Sequence, residues 1–168
     1  MADINKLIPL ILKWEGGYAN DKDDHGGCTM KGITIATFRK YYGKFKTCND
    51  LRNITDEQWK HILKTGYWDK MKADLIENQS IANLCVQICW GSGPVTAIKK
   101  IQSCLGTVAD GIVGPKTLAL LNDKNYKRTF DKLWEMRKLW LTNIAQNGNN
   151  KKFLKGWLNR LNDYKFYQ

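Results

Sequence analysis

Acidic residues are scarce in this chain. Its 168 residues carry 16 Asp and Glu against 27 Lys and Arg, a formal net charge of +11. A surplus of that size raises three polyanionic partners: nucleic acid, an acidic lipid surface and bacterial cell wall. Proline is nearly as rare, at three residues, and there are no internal repeats, low-complexity tracts or long linkers; together these argue against a disordered chain. No apolar run is long enough to cross a bilayer, since the N-terminal stretch MADINKLIPLILKWEGGY is broken by Lys13. No basic segment precedes that stretch and no small-residue cleavage site follows it, so it reads as a core helix. The expectation is a protein made in the cytoplasm without a signal peptide or transmembrane segment. Were its partner the cell wall, it would have to reach the wall or periplasm by export or lysis. Cysteines number five, an odd count at no zinc-like spacing, so the default reading is five reduced thiols. Strand signals are sparse; a short hairpin within 27–35 is the most the pattern allows.

What is present is a globular composition: 43% hydrophobic residues and seven Trp. A chain of this length forms one domain or two small lobes on a shared core, burying about 70% of its unfolded surface. The pattern is organised around 12–34, LKWEGGYANDKDDHGGCTMKGIT. Ile4, Leu7, Ile8, Ile11 and Leu12 form a helical stripe that runs into Trp14-Glu15 and stops at Gly16-Gly17. Glu15 is thereby placed at a helix C-terminus, where the aligned peptide dipoles amount to about half a negative charge. A carboxylate is disfavoured there, which is how a general acid is tuned. The polar, glycine-rich segment beyond it carries Asp21, Asp23, Asp24, His25 and Thr29, and has the length of a functional loop.

Glu15-Gly16-Gly17-Tyr18, Asn20-Asp21 and Asp24-His25-Gly26-Gly27-Cys28-Thr29-Met30-Lys31-Gly32-Ile33-Thr34 together resemble the signature of glycoside hydrolase family 108. Its members are lysozyme-like N-acetylmuramidases, some first described as secretion activators. The spacing is also similar to phage-type lysozymes and endolysins, in which a helix-terminal Glu is followed by an Asp and then a Thr, places that fall here on Asp24 and Thr29. The resemblance implies a catalytic set of Glu15, Asp24 and Thr29, with Tyr18, His25, Thr34, Tyr67 and Trp68 as substrate-binding residues. It implies cleavage of the β-1,4 bond between N-acetylmuramic acid and N-acetylglucosamine, with no cofactor and no metal. Tyr67-Trp68 stands where the family has a Tyr-Trp pair, and is physically an aromatic platform that either lines a sugar site or plugs the core.

Farther along, Thr34 caps a helix to about Tyr42, and Thr55-Asp56-Glu57-Gln58 is a capping box opening another. Residues 78–90 form a helical stripe in which Cys85 and Cys89 read as buried thiols rather than metal ligands. Gly91-Ser92-Gly93-Pro94 breaks the chain. The family pattern has Asn and Asp where this sequence has Gly91 and Gln87, so neither position is assigned a catalytic role. Asp110-Gly111-Ile112-Val113-Gly114-Pro115-Lys116-Thr117 is similar to a motif of peptidoglycan-binding helical modules, and its glycines and proline suit a tight turn entering a helix. The last 45 residues hold eleven Lys and Arg against three Asp and Glu, and Phe153–Arg160 resembles the family's closing G-W-x-x-R segment.

The expected architecture is mainly α and lysozyme-like: a catalytic lobe over 1–92 and a helical, peptidoglycan-binding-like lobe over 93–168 packed on it, in a monomer. Expected partners are peptidoglycan glycan strands, with the basic C-terminal lobe attracted to the anionic wall and no specific nucleic acid. If Asp24 points away, Glu15 alone fits a lytic transglycosylase, and three further readings stay open: a non-catalytic wall-binding or secretion-assisting protein, a nucleic-acid binder, for which no recognisable binding signature is present, and a cation-dependent enzyme using Asp21, Asp23 and Asp24. The last of these departs from calcium-loop spacing.

Overall fold

The computed structural model describes residues 1–21 and 26–168. Its architecture is mainly α, with nine α-helices and one two-stranded sheet among the described residues. The first helix, α1 (Ile4–Trp14), starts where the Asp3 carboxylate accepts from Asn5 N–H, and it buries Ile4, Leu7 and Ile11 along one stripe. It ends one residue before Glu15, which is already extended (φ −86°, ψ 133°). The following double glycine does not stop the helix through a left-handed cap: neither Gly16 nor Gly17 has a positive φ. Instead, Gly16 C=O accepts from Lys31 N–H at 3.0 Å and ties the helix end to a hairpin.

That hairpin pairs β1 (Thr29–Met30) with β2 (Ile33–Thr34) in antiparallel register, Thr29 opposite Thr34 and Met30 opposite Ile33. Lys31 and Gly32 form its two-residue turn, both at positive φ (49° and 80°), as a right-twisting hairpin requires. Ala19 extends the ladder by exchanging two backbone hydrogen bonds with Thr29. Thr34 then caps α2 (Ile35–Tyr42), with Thr37 N–H donating to its side chain, and Gly43 at φ 120° ends that helix. Capping boxes Thr47/Asp50 and Thr55/Gln58 open α3 (Cys48–Arg52) and α4 (Asp56–Leu63). A π-turn, Lys64–Trp68, continues α4.

The helix α5 (Gln79–Ser92) runs through the centre and is buried on nearly all sides, from Ser80 to Cys89 with only Asn83 partly exposed. Helices α1, α6 (Pro94–Leu105) and α8 (Tyr126–Ala145) pack on it. Pro94 and Pro115 occupy the first turns of α6 and α7 (Pro115–Leu121), where a missing N–H costs nothing. Between these two helices the Asp110–Thr117 motif wraps around one buried amide. Gln102 Nε2 donates to Asp110 Oδ1, Ile112 C=O and Thr117 Oγ1, and Gln102 Oε1 accepts from Gly111 N–H, whose φ is 80°. The motif is thus architectural. Helix α8 buries Phe130, Leu133, Arg137 and Leu141, and a 3-10 turn (Gly148–Phe153) leads into α9 (Leu154–Asn162). The end of α9 returns to the end of α1, where Asp163 accepts from Lys13 Nζ at 2.7 Å and from Trp14 Nε1.

The cysteine reading needs correction. Cys28 and Cys48 form a disulfide, with Cα atoms 5.9 Å apart, closing a ring that contains the hairpin and α2. Cys85, Cys89 and Cys104 are free. Burial pushes the Cys89 thiol up to about 12 and Cys85 well above its ordinary value, so neither supplies thiolate at neutral pH. The sequence could not reveal the pairing, because an odd count leaves the partners open. Protein unfolded without reductant should therefore expose three alkylatable thiols, and five after reduction, as counted by mass spectrometry. Closing a ring of this size contributes about 3 kcal/mol. Reductant, or Cys48→Ser, should lower the stability measured by denaturant unfolding by about that amount.

Candidate active site

Glu15 stands just past the end of α1, and residues far away in the chain enclose its carboxyl. Oε1 accepts from Trp90 Nε1 of α5 at 2.9 Å and from Arg160 Nη2 of α9. Both partners of the ion pair are largely buried, with side chains 13% (Glu15) and 22% (Arg160) exposed. The carboxyl that the sequence places alone against a negative helix pole is therefore held by two donors, one of them cationic. Oε2 has no hydrogen-bond partner among the described residues. It faces the hairpin turn, where a Cβ on Gly32 would lie 2.6 Å from both Oε2 and Cδ of Glu15.

The turn is fixed from two sides. Lys31 N–H donates to Gly16 C=O, and Lys31 C=O accepts from Trp59 Nε1 of α4 at 2.9 Å. Trp59 in turn packs on Trp90 (ring centroids 5.6 Å apart), and Trp90 on Tyr67 (4.9 Å). An aromatic wall from three elements thus backs the acid and orients the Trp90 N–H toward it. Burial pushes the Tyr67 hydroxyl above its ordinary value, keeping it a neutral donor.

The other expected site residues divide. Tyr67 joins the wall, packed on the Trp90 indole that donates to Glu15. Trp68 does not: it is fully buried in the core, with its Nε1 donating to Asp74 Oδ1 at 2.8 Å, so it cannot line a sugar site. Thr34 is half-buried and serves as the α2 cap, its hydroxyl engaged with Thr37. Thr29 lies in β1, and Tyr18 sits beneath the Arg52 guanidinium, 5.3 Å from its ring centroid. Asp23, Asp24 and His25 lie outside the described residues. Sequence reasoning missed Trp90 and Arg160 as partners of the acid. Its single hint was the resemblance of 153–160 to a closing family segment.

Beside the ion pair, between α5, α8 and α9, lies a cavity of about 350 Å³ that Arg160 also lines. Gln87, Ser92 and Arg137 face it as well. Burial, with the nearby Arg160 charge adding to it, pulls the Arg137 guanidinium down to about 10, still protonated at neutral pH.

A family model for glycosyl hydrolase 108 matches residues 8–93. The chain belongs to the glycosyl hydrolase 108 family. A second model, described as a predicted peptidoglycan domain, matches residues 96–162. A search of curated proteins finds no match. Among solved structures, the chain is similar to Brucella abortus SagA, with 29% identity and a TM-score of 0.82 over 95% of this chain and 90% of that one. This glycosyl hydrolase 108 member is accordingly a lysozyme-like protein that acts on peptidoglycan. No helix among the described residues is long and apolar enough to cross a membrane.

Gly32 supplies a test of the site's packing. Gly32→Ala introduces a Cβ into the Glu15 carboxyl at a left-handed position, and should cost about 1–2 kcal/mol from the backbone alone. Gly17, with open space and no positive φ, is the control: Gly17→Ala should stay within about 0.5 kcal/mol of the parent in denaturant unfolding.

Proposed function

We propose that this protein is an N-acetylmuramidase, hydrolysing the β-1,4 bond between N-acetylmuramic acid and N-acetylglucosamine, with Glu15 as the general acid. The observation that carries the reading is the enclosed carboxyl: two donors hold Oε1, and Oε2 is left without a partner among the described residues. Cleavage of a glycosidic bond needs a proton for the departing oxygen, and charge or a positioned water on the opposite side of an oxocarbenium-like transition state. Oε2 is the atom that delivers the proton. Trp90 and Arg160, fixed to Oε1, hold the carboxyl in one orientation. Asp24 and Thr29 are assigned to the water or to charge stabilisation.

Tyr67, set against Trp90 next to the acid, is the glycan contact that the geometry supports best. Tyr18 and His25 are carried as further contacts on the resemblance alone. Within this reading residues 1–92 form the catalytic lobe and 93–168 a wall-binding lobe packed on it. The C-terminal surplus of basic residues draws the protein to the anionic wall. The activity would serve lysis or wall remodelling for secretion.

Product analysis on purified sacculi tests the reading. Reducing muramic ends are expected from the parent protein. Glu15→Gln should bind sacculi as well but release products about two to three orders of magnitude more slowly. Anhydro ends would instead make it a lytic transglycosylase. Binding without release, or equal release by the Gln variant, would remove Glu15 from the chemistry.

A further inference from the structure

The cavity beside the ion pair has two cations in its wall, and only one of them, Arg160, is paired with a carboxylate among the described residues. Arg137 is 3% exposed and forms no salt bridge among the described residues. Its Nη1 donates to Ser92 Oγ at 2.8 Å, and its Nε has no partner. The guanidinium lies against the Trp140 ring, 4.6 Å from its centroid, and its Nη2 occupies space beside Gly91 where a Cβ would come within 2.9 Å. Arg160 shares the cavity; its Nη2 serves Glu15, but its Nε is buried and unpartnered. Gln87, 4% exposed on the facing side of α5, leaves Oε1 without a donor. No Asp or Glu lines the cavity among the described residues.

Buried charges are ordinarily paired, and buried polar atoms hydrogen-bonded. Here the Arg137 guanidinium, without a counter-charge among the described residues, lines one cavity with the Gln87 amide and with Arg160, whose partner is Glu15. A carboxylate fits the guanidinium fork, because its two oxygens match paired N–H donors in one plane. The Gln87 amide, which lines the same cavity, can turn to meet a neighbouring amide N–H or hydroxyl of the ligand. Leu141, Ile144 and Trp157 supply an apolar wall for the carbon skeleton between them.

We propose that this cavity is a carboxylate-binding subsite for peptidoglycan, recognising an acyl-amino-acid carboxylate of the peptide stem or the carboxyl of the sugar's lactyl group. Recognition of a carboxylate follows from the cavity alone; its source in peptidoglycan rests on the function proposed above. With Arg160 common to the cavity and the ion pair, a ligand seated here lies one side chain from the Glu15 carboxyl. Occupancy of the subsite is therefore coupled to the placement of the acid's partner.

Calorimetric titration of the full-length protein tests the proposal without relying on turnover. The probes are N-acetyl-D-alanyl-D-alanine, its C-terminal carboxamide, N-acetylmuramic acid and inorganic phosphate. Binding of the dipeptide, weakened at least about tenfold in the carboxamide, supports the stem as source. Binding of N-acetylmuramic acid in its place supports the lactyl carboxyl. Arg137→Met should abolish whichever binding occurs. Should that variant fail to fold, Gln87→Leu, which keeps both cations, should weaken it severalfold. Equal affinity for acid and carboxamide, a preference for phosphate, or undiminished binding by both variants would overturn the subsite. Sacculus cleavage with no carboxylate binding would overturn it while leaving the enzymatic reading intact. Carboxylate binding without cleavage would do the reverse.

Discussion

Burial of α5 on nearly every side is the constraint that arranges the rest of the molecule. A helix whose surface is apolar around most of its circumference must be enclosed by neighbours rather than laid on one of them. Helices α1, α6 and α8 supply that enclosure. Two of the polar groups that α5 carries, Gln87 and the Trp90 N–H, serve the site region, whereas Ser80 at its other end bonds the backbone of Tyr167. Trp90 donates to Glu15, and Gln87 faces Arg137 across the cavity. The same helix therefore provides the packing centre and one wall of the site, which is why a helix end, a hairpin turn and a C-terminal helix can meet there within hydrogen-bonding distance.

The acid's surroundings follow from this meeting. A helix C-terminus repels negative charge, and a hairpin turn would crowd a carboxyl if its second residue had a side chain. Glycine at position 32 removes the crowding, and the indole and guanidinium both donate to the carboxyl's Oε1. The cost of holding Arg160 in a partly dry place is offset by its contact with Glu15. Arg137 forms no such pair among the described residues, and this is the difference that the carboxylate subsite proposed above would answer.

Much of the scaffold was legible because its signals are local. Thr34, the Thr55–Gln58 box, Pro94 and Pro115 each act on backbone groups within a few residues of themselves, so their effect can be read without knowing the tertiary structure. The hairpin lies within the stretch allowed for it. Glu15 was legible as a helix-end carboxyl, but its neighbours were not, since Trp90 and Arg160 are contributed by elements 75 and 145 residues away. Tyr67 and Trp68 show another limit. The π-turn over 64–68 shifts the helical phase, so a 3.6-residue period cannot tell which of two adjacent aromatics turns inward. The Cys28–Cys48 bond was hidden for a third reason, because spacing does not fix pairing.

The separation of 145 residues between Glu15 and Arg160 sets an order of events during synthesis. The opening helix and hairpin emerge from the ribosome long before α9 does. Until α9 docks, the carboxyl lacks its guanidinium and the neighbouring cavity lacks one wall. Completion of the site therefore has to wait for synthesis of α9, well after the acid itself has left the ribosome.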